Sequence, residues 1–284
     1  MPGTIPAARQ HLIDAIARQS RTARTARDTP LPLGPFVQAY YRGVDEADLR
    51  AGDPGALAAA AASHLRFGAV RKPGRALVRV FNPDLSRDGW QSPRTVVEVV
   101  TDDMPFLVDS LAVVLNGCGL SIHTMVHPVL AVRRDRAGRL AAAAGELADG
   151  KPESWQHIEV DLTRDAAQLE QVRARIETTL DDVRVSVEDW PQMLAGARRI
   201  ADELRDGLPG VGKAETDEAA AFVDWLAGNH FTFLGYREYR LARGASVDRL
   251  VPVARSGLGL LRTGAGRPRP QPTLLKGEVR RKAR

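Results

Sequence analysis

Residues 95–128, TVVEVVTDDMPFLVDSLAVVLNGCGLSIHTMVHP, constrain the fold more than any other stretch. They predict a strand over 96–100, an acidic turn, a helix with Pro105 in its first turn, and a second strand entered through Gly117 and Gly119. Apolar side chains recur on one face of this helix, at positions 107, 111, 114, 115 and 118. This face must pack on a sheet, so the stretch predicts one β-α-β unit.

The pattern that follows predicts the rest of the sheet. Residues 129–133 extend the second strand, and residues 157–162 alternate apolar and polar side chains, which indicates a strand with one buried and one solvent-exposed face. Asp165 and Gln168 form a capping-box pattern before a helix with a buried stripe at positions 169, 172, 176 and 180. Residues 183–187 alternate valines and predict a last strand.

Residues 95–188 therefore predict a β-α-β-β-α-β order. The fold class is α+β, with a ferredoxin-like antiparallel sheet, both helices on one face, flanking N-terminal helices and a C-terminal helix-strand extension. Many unrelated modules share this fold, so the fold alone does not name a function. We divide the chain into five parts: a mobile N-terminal segment with a short helix (1–35), a helical part (36–75), the sheet domain (76–190), a helix-strand extension (191–256), and a basic Gly/Pro-rich linker or truncated end (257–284).

Charge is distributed unevenly along the chain. Residues 1–30 carry +3 and residues 262–284 carry +7, so residues 31–261 carry −5 of the overall +5. Only 5% of the residues are aromatic. An acidic body with few rings for base stacking predicts no nucleic-acid partner.

Cysteine content and hydropathy bear on the compartment. The single cysteine, Cys118, allows no disulfide within the chain, which is typical of a reducing compartment. The sequence has no apolar run of about 18 residues that could span a bilayer. We expect a cytoplasmic protein with no membrane partner.

Three motifs suggest cofactor or metal chemistry, but their contexts argue against it. Residues 207–213, GLPGVGK, match the phosphate-binding loop, yet Ala214 stands where Ser or Thr should hold Mg²⁺, so we interpret them as a helix C-cap and turn. His123 and His127 would lie about 13 Å apart along a strand, too far to share an ion. Residues 257–262 lack the third glycine of a dinucleotide fingerprint. We predict no metal, cofactor or catalytic residue in this chain, and keep a nucleotide hydrolase as an alternative.

The acidic turn admits two interpretations. Asp102, Asp103 and Asp109 could be paired acid/base carboxylates, or Asp102 and Asp103 could cap the helix while Asp109 is solvated, which we favour. A turn with free amide groups and carboxylates at a sheet edge is also suited to a small zwitterion. Cys118 falls on the buried stripe of the helix and is interpreted as a small core residue.

Six segments also resemble, in order, the N-terminal region of the large bacterial NAD-specific glutamate dehydrogenases. They cover most of the chain from Phe36 onward, and DDMPFLVDS and NHFTFLGYREY are the most specific. The six segments are FVQAYYRGVDEADL (36–49), VRVFNPDLSRDGWQSPRTVVEVVTDDMPFLVDS (78–110), IHTMVHPVLAVRRD (122–135), ESWQHIEVDL (153–162), VEDWPQM (187–193) and FVDWLAGNHFTFLGYREYRL (222–241).

The resemblance implies the ACT-like regulatory region of an oligomeric oxidoreductase that converts L-glutamate, NAD⁺ and water to 2-oxoglutarate, ammonium and NADH. ACT modules often bind amino acids where the first strand meets the first helix. The residues that this implies here are Asp102, Asp103, Met104 and Pro105, with Asn116, Gly117 and Gly119 at the far end of the helix.

The family's catalytic and NAD-binding domains lie further along its chain. We therefore expect this chain to be a fragment, a split-gene product or an excised domain, without NAD and inactive alone. The expected partners are an amino-acid effector and either further copies of the chain or the missing catalytic domain. The alternative is a free-standing ACT-like module that binds amino acids or a protein partner.

Overall fold

The computed structural model describes residues 6–20, 28–245, 247–264 and 269–277. The remaining positions of the predicted N-terminal and C-terminal segments lie outside the described residues. The chain divides into two compact units, residues 1–180 and 181–284. Among the described residues, every helix is too short or too polar to cross a bilayer.

The first unit contains a six-stranded sheet and the helices around it. Its helices are α1 (Ala7–Gln19), α2 (Leu33–Tyr40), α3 (Glu46–Ala51), α4 (Pro54–Phe67), α5 (Leu85–Asp88), α6 (Leu107–Gly117) and the first part of α7 (Ala166–Asp206). Its strands are β1 (Leu77–Phe81), β2 (Thr95–Asp102), β3 (Ile122–Val126), β4 (Val129–Arg134), β5 (Leu140–Ala144) and β6 (Lys151–Val160).

Local capping explains where two of these helices begin. The Asp53 side chain accepts a hydrogen bond from the Ala56 amide at 2.8 Å, directly before Pro54. The Asp165 carboxylate likewise accepts from the Ala167 amide at 2.9 Å. The sequence predicts both starts, because Asp53 followed by Pro54 is an N-cap and N1 pattern, and Asp165 with Gln168 is a capping-box pattern.

The sheet is antiparallel, with the order β1-β2-β6-β4-β5 and with β3 also paired to β6. The segment 137–151, which the composition predicts to be a flexible connection, contributes β5. Strands β2 and β6 form the longest pairing, from Thr95 opposite Val160 to Asp102 opposite Glu153. All residues of β2 except the last are buried, so both faces of this strand are covered.

The predicted last strand at 183–187 is wrong, because these residues are helical and lie within α7. Strand β1, which precedes β2 in the chain, pairs with β2 instead. Buried positions recur three to six residues apart along α7, at 172, 176, 180, 186, 189, 193, 197 and 201. This long helical period outweighs three alternating valines, since valine costs only a few tenths of a kcal/mol in a helix.

The solvent-exposed sheet face predicted from residues 157–162 is also wrong. His157 is 7% exposed, and its neighbour Trp155 is fully buried against Phe36 of α2 and His64 of α4. The sequence predicts helices on one face of the sheet only. This prediction is wrong, because α2 and α4 cover the face that carries Trp155. An alternating sequence pattern shows which side chains are polar, but it does not show which are exposed. The polar side chains of this face can be buried because they pair with one another.

Helix α1 falls within the segment predicted to be mobile. The helical period predicts that Ile13 and Ile16 of this helix share a face, and both are buried in the same core as Trp155. The five predicted domain boundaries stay predictions.

The second unit contains the rest of α7 and a set of short strands. Helix α8 (Lys213–Trp225) continues into a wide turn at Leu226–His230. The strands are β7 (Gly235–Tyr236), β8 (Tyr239–Ala242), β9 (Asp248–Pro252), β10 (Leu258–Gly259) and β11 (Thr273–Leu275).

These strands form the β11-β9-β8 sheet and the β10-β7 pair. The composition after residue 257 is rich in Gly, Pro, Arg and Lys and predicts that nothing beyond Leu261 packs into a core. This prediction is wrong for Leu275, which is 6% exposed. Asp189 of α7 anchors this region, because its carboxylate accepts from the Gly259 amide and from Arg262.

Candidate functional site

The predicted ligand site lies where β2 meets α6. Asp102 ends β2, and its carboxylate accepts a hydrogen bond from Nη2 of the buried Arg71 at 2.6 Å. Asp103 is exposed, and partial burial of its carboxyl nevertheless raises its pKa, against a hydrogen bond from the Met104 amide. Arg71 therefore holds the Asp102 side chain in place, while the side chain of the neighbouring Asp103 is exposed to solvent at the end of β2.

Neither acidic residue caps α6, so the capping interpretation of the turn is wrong. The N-cap is Phe106, which adopts a left-handed conformation with φ 70° and is 49% exposed. Met104 is half-buried, and Pro105 and Asp109 are exposed. The first-turn amides of α6 therefore lack the side-chain acceptor that an acidic N-cap would supply.

Asn116, Gly117 and Gly119 lie at the other end of α6. An eleven-residue helix is about 16 Å long, so the structure does not bring these residues to the acidic turn. Gly117 lines an open groove of about 400 Å³, together with Val114 and residues of α7 such as Arg175 and Thr178. Cys118 is half-buried, with its Sγ 3.6 Å from Arg175 Nη1.

A buried cluster of ion pairs holds Arg71, the residue that binds Asp102 of the acidic turn. Glu153 of β6 accepts from Arg71 at 2.7 Å and from Arg134 of β4 at 2.7 and 2.9 Å. The three side chains are less than 10% exposed. Arg71 and Glu153 are 82 positions apart, so no local sequence pattern reveals the cluster.

A second buried polar cluster lies where α4 covers the sheet. It consists of His64 of α4, Glu98 of β2 and His157 of β6, whose potential ligand atoms all lie within 4.8 Å of one another. His157 Nδ1 lies 3.2 Å from Glu98 Oε1, and Arg79 Nε donates to Glu98 Oε2 at 2.7 Å. The Tyr40 hydroxyl and His64 Nδ1 are 2.7 Å apart.

The charges of this cluster follow from burial and pairing. Burial lowers the pKa of His64 to about 4, so this imidazole is neutral. Burial would also lower the pKa of His157, but hydrogen bonds to Glu159 and Glu98 raise it to about 9. Burial opposes ionisation of Glu98, yet its interactions with His64, His157 and Arg79 lower its pKa to about 2. The carboxylate is therefore ionised and compensated by Arg79 and His157.

The remaining motifs have ordinary structural roles. His123 Nε2 is 2.7 Å from Asp161 Oδ1, and His127 lies in the turn between β3 and β4. Gly207 and Gly210 have φ values of 89° and 81° in the loop after α7, and Lys213 Nζ donates to a carbonyl of that helix. The interpretation of residues 207–213 as a helix C-cap and turn is confirmed.

The antiparallel sheet and its helices place the first unit in the class of mixed helix-and-sheet proteins. Residues 36–176 match the family described as "Glutamate dehydrogenase, ACT1 domain", a range that includes all six strands of the first unit.

Relatives agree with this match. An NAD-specific glutamate dehydrogenase of Halomonas elongata is 38% identical over 84% of the chain, and that of Pseudomonas aeruginosa is 42% identical over 65%. The one of Mycobacterium tuberculosis is 27% identical over 73%. The chain spans only 12–15% of the length of these relatives. It carries the ACT1 domain of the NAD-specific glutamate dehydrogenase family, as the six sequence segments indicated.

Proposed function

We propose that this chain is the N-terminal regulatory portion of an NAD-dependent glutamate dehydrogenase. The observation that carries the proposal is the ACT1 match, which covers the whole sheet and the acidic turn. The reaction would be oxidation of L-glutamate with NAD⁺ and water to 2-oxoglutarate, ammonium and NADH. Glutamate chemistry and NAD binding would belong to other parts of the full-length enzyme, in the reducing cytoplasm that a single cysteine favours.

The proposed domain is a permuted ferredoxin-like sheet. In a β-α-β-β order, the third strand lies between the first and the second, as β6 lies between β2 and β4 here. Strand β1 then takes the edge position that the fourth strand would otherwise occupy.

The proposed effector is an amino acid bound at the turn between β2 and α6. The Asp103 carboxylate would attract the ammonium group, while the uncapped first-turn amides of α6 would attract the carboxylate. Arg71 contributes indirectly because it holds Asp102 and thereby the backbone of the turn. Met104 and Pro105 complete this site.

The C-terminal end of α6 lies too far from the turn to contribute to the same ligand site. One amino acid cannot reach Asn116, Gly117 or Gly119 from the turn, since about 16 Å of helix separates the two ends. We therefore leave these three residues out of the proposed effector site.

The first experiment separates regulation from catalysis. The purified 284-residue chain is incubated with L-glutamate and NAD⁺, and NADH absorbance is followed. We expect no NADH, and its formation would overturn the regulatory assignment.

The second experiment tests the effector site in the full-length enzyme. Each amino acid is titrated as an effector, and Asp103→Asn is compared with Asp45→Asn, an exposed N-cap residue of α3 that makes no side-chain cap. We expect unchanged basal activity in both variants and loss of the effector response only in Asp103→Asn. An undiminished response in Asp103→Asn would reject this site.

A free-standing interaction module is the second candidate. It is favoured by the aromatic side chains that the second unit exposes, such as Phe222 at 59%, Trp225 at 51% and Phe231 at 55%. The intact mass of the native polypeptide decides between the two, because a regulatory portion belongs to a species several-fold heavier than 30.8 kDa. Light scattering tests the proposed homo-oligomer, and a monomeric mass would count against it.

A further inference from the structure

The buried cluster of His64, Glu98 and His157 has the composition of a metal site. Glu98 and His157 lie directly opposite each other in the pairing of β2 with β6, so the sheet itself brings them together. Helix α4 packs on this face and adds His64, whose ring lies 6.4 Å from that of His157. The three residues are fully or almost fully buried.

A second group orients each of these three side chains. The Tyr40 hydroxyl pairs with His64 Nδ1, and Arg79 with Glu98 Oε2, which leaves Oε1 on the side of His157. His157 presents Nδ1 to Glu98, while its Nε2 faces Glu159 Oε1 at 4.0 Å. Such outer partners, which fix the ring orientation of ligand histidines and hold ligand carboxylates, are typical of protein metal sites.

One polar atom of the cluster lacks a partner. His64 Nε2 is buried and makes no hydrogen bond of ordinary length and angle within the described residues, although a Val99 backbone group lies close enough to raise the pKa of this imidazole. Buried polar atoms are nearly always paired, so an unpaired imidazole nitrogen beside a carboxylate and a second imidazole indicates a ligand. This observation is independent of the charge of the cluster.

We propose that His64, Glu98 and His157 bind a divalent transition-metal ion, Zn²⁺, which displaces one proton from the charged His157 imidazole to solvent. Two imidazoles and one carboxylate are a donor set that zinc accepts in proteins, with water as the fourth ligand. Tetrahedral zinc with bonds of about 2.0–2.2 Å needs donor atoms roughly 3.4 Å apart, so the cluster contracts from its present 4.8 Å.

The surrounding charges tolerate the ion. Arg79 stays on Oε2 of Glu98 and lies over the rings of Phe67 and Phe81, at 4.7 and 4.2 Å. Glu159 adds a second carboxylate beside His157. The bound ion ties α4 to the central strands, so its role is to hold the N-terminal helices on the sheet.

Metal content of the folded chain tests this proposal. The 284-residue chain is purified without chelator, incubated with Zn²⁺, desalted and analysed for zinc. We expect about one equivalent in the wild type and less than about a tenth of that in His64→Gln and His157→Gln. His123→Gln is the matched control, because His123 is exposed and paired with Asp161, and it should keep its zinc.

A spectroscopic measurement avoids variants that fail to fold. Co²⁺ added to the metal-free wild type should give the strong visible bands of a low-coordinate site, and Zn²⁺ should abolish them. A folded wild type that retains no zinc and shows no such bands would overturn the proposal and identify the cluster as a polar network alone. Equal zinc retention by His64→Gln, or its loss in His123→Gln, would also overturn it.

Discussion

Replacing Gly68 with alanine should destabilise the first unit through a single steric contact. Gly68 is the C-cap of α4, with φ −79° and ψ 3°, a conformation that alanine adopts without strain. A Cβ at this position would lie 2.6 Å from Cζ3 and 3.0 Å from Cζ2 of Trp155, and closer still to Cη2. Carbon atoms normally approach to about 3.5–4.0 Å, so the ring or the helix must move by roughly 1 Å.

The size of the effect follows from how firmly Trp155 is held. Its ring is fully buried and contacts Phe36 and His64, with ring centroids 5.4 and 5.1 Å away. Overpacking of such a core costs about 1–3 kcal/mol, and the upper end applies here because the indole has nowhere to move. The reduced entropy of the unfolded chain returns about 0.4–1 kcal/mol. We expect a net loss of about 2 kcal/mol, which lowers the Tm of a unit of this size by roughly 4–8 °C.

Urea denaturation followed by circular dichroism measures this loss, and hydrogen exchange of α4 and β6 assigns it to the first unit. Gly43→Ala is the control, because a Cβ at Gly43 meets no atom within 4 Å and its φ is not positive. The same glycine substitution is then made in Trp155→Phe, which lacks the distal ring atoms. There Gly68→Ala should cost less than about 1 kcal/mol, a coupling typical of residues in contact. Equal costs in both backgrounds, or wild-type stability of Gly68→Ala, would refute the steric argument.

Three further changes test the ion pairs of the structure. Glu153→Gln should cost about 3–5 kcal/mol in urea denaturation, because it leaves two buried arginines without their shared carboxylate. Asp189→Asn should lower the stability of the second unit by about 1–3 kcal/mol, since a buried carboxylate that holds Arg262 and the Gly259 amide loses its charge. Hydrogen bonds from His123 and Ser121 lower the pKa of Asp161 from 3.8 to about 2. The contribution of this carboxylate to the free energy of unfolding is therefore complete above pH about 3.8 and is lost as the pH falls through about 2. Asp161→Asn should remove this acid limb from the curve of stability against pH.

Exposed carboxylates provide the matched controls for these three variants. Glu146→Gln, Asp224→Asn and Asp149→Asn change residues that are exposed or in exposed ion pairs, and each should change stability by less than about 1 kcal/mol. A buried variant that behaves like its control would reject the corresponding ion pair. An acid limb that persists in Asp161→Asn would assign it to another group.

Local sequence patterns correctly predicted those helices and strands that are determined by interactions between residues close together in the chain. Apolar spacing placed α6 beside β2, Asp53 and Asp165 marked helix starts, and positive-φ glycines ended α7 in the loop before Lys213. In each case the responsible interaction lies within a few residues of the chain. The valines at 183–187 misled because a three-residue alternation was read without the longer helical period on either side.

Local patterns did not predict the two buried polar clusters. Arg71 meets Glu153 across 82 positions, and His157 meets Glu98 across 59. The sequence reports that these residues are polar, and polarity at a strand position normally predicts exposure. Only the packing of α2 and α4 on the sheet shows that they are buried and therefore paired.

The sequence by itself determined the α+β class, the strand-turn-helix order around the acidic turn and the glutamate dehydrogenase family, because these depend on short-range periodicity and on segments that can be compared directly. It placed Pro105 in the first turn of the helix, whereas α6 begins at Leu107. Tertiary structure alone decided the strand order, the burial of the polar sheet face and the meeting of His64, Glu98 and His157. The physical reason is that strand register and layer packing bring together residues that are far apart in the chain. Once buried, these polar side chains must pair with one another, and they form the ion pairs and the candidate metal site.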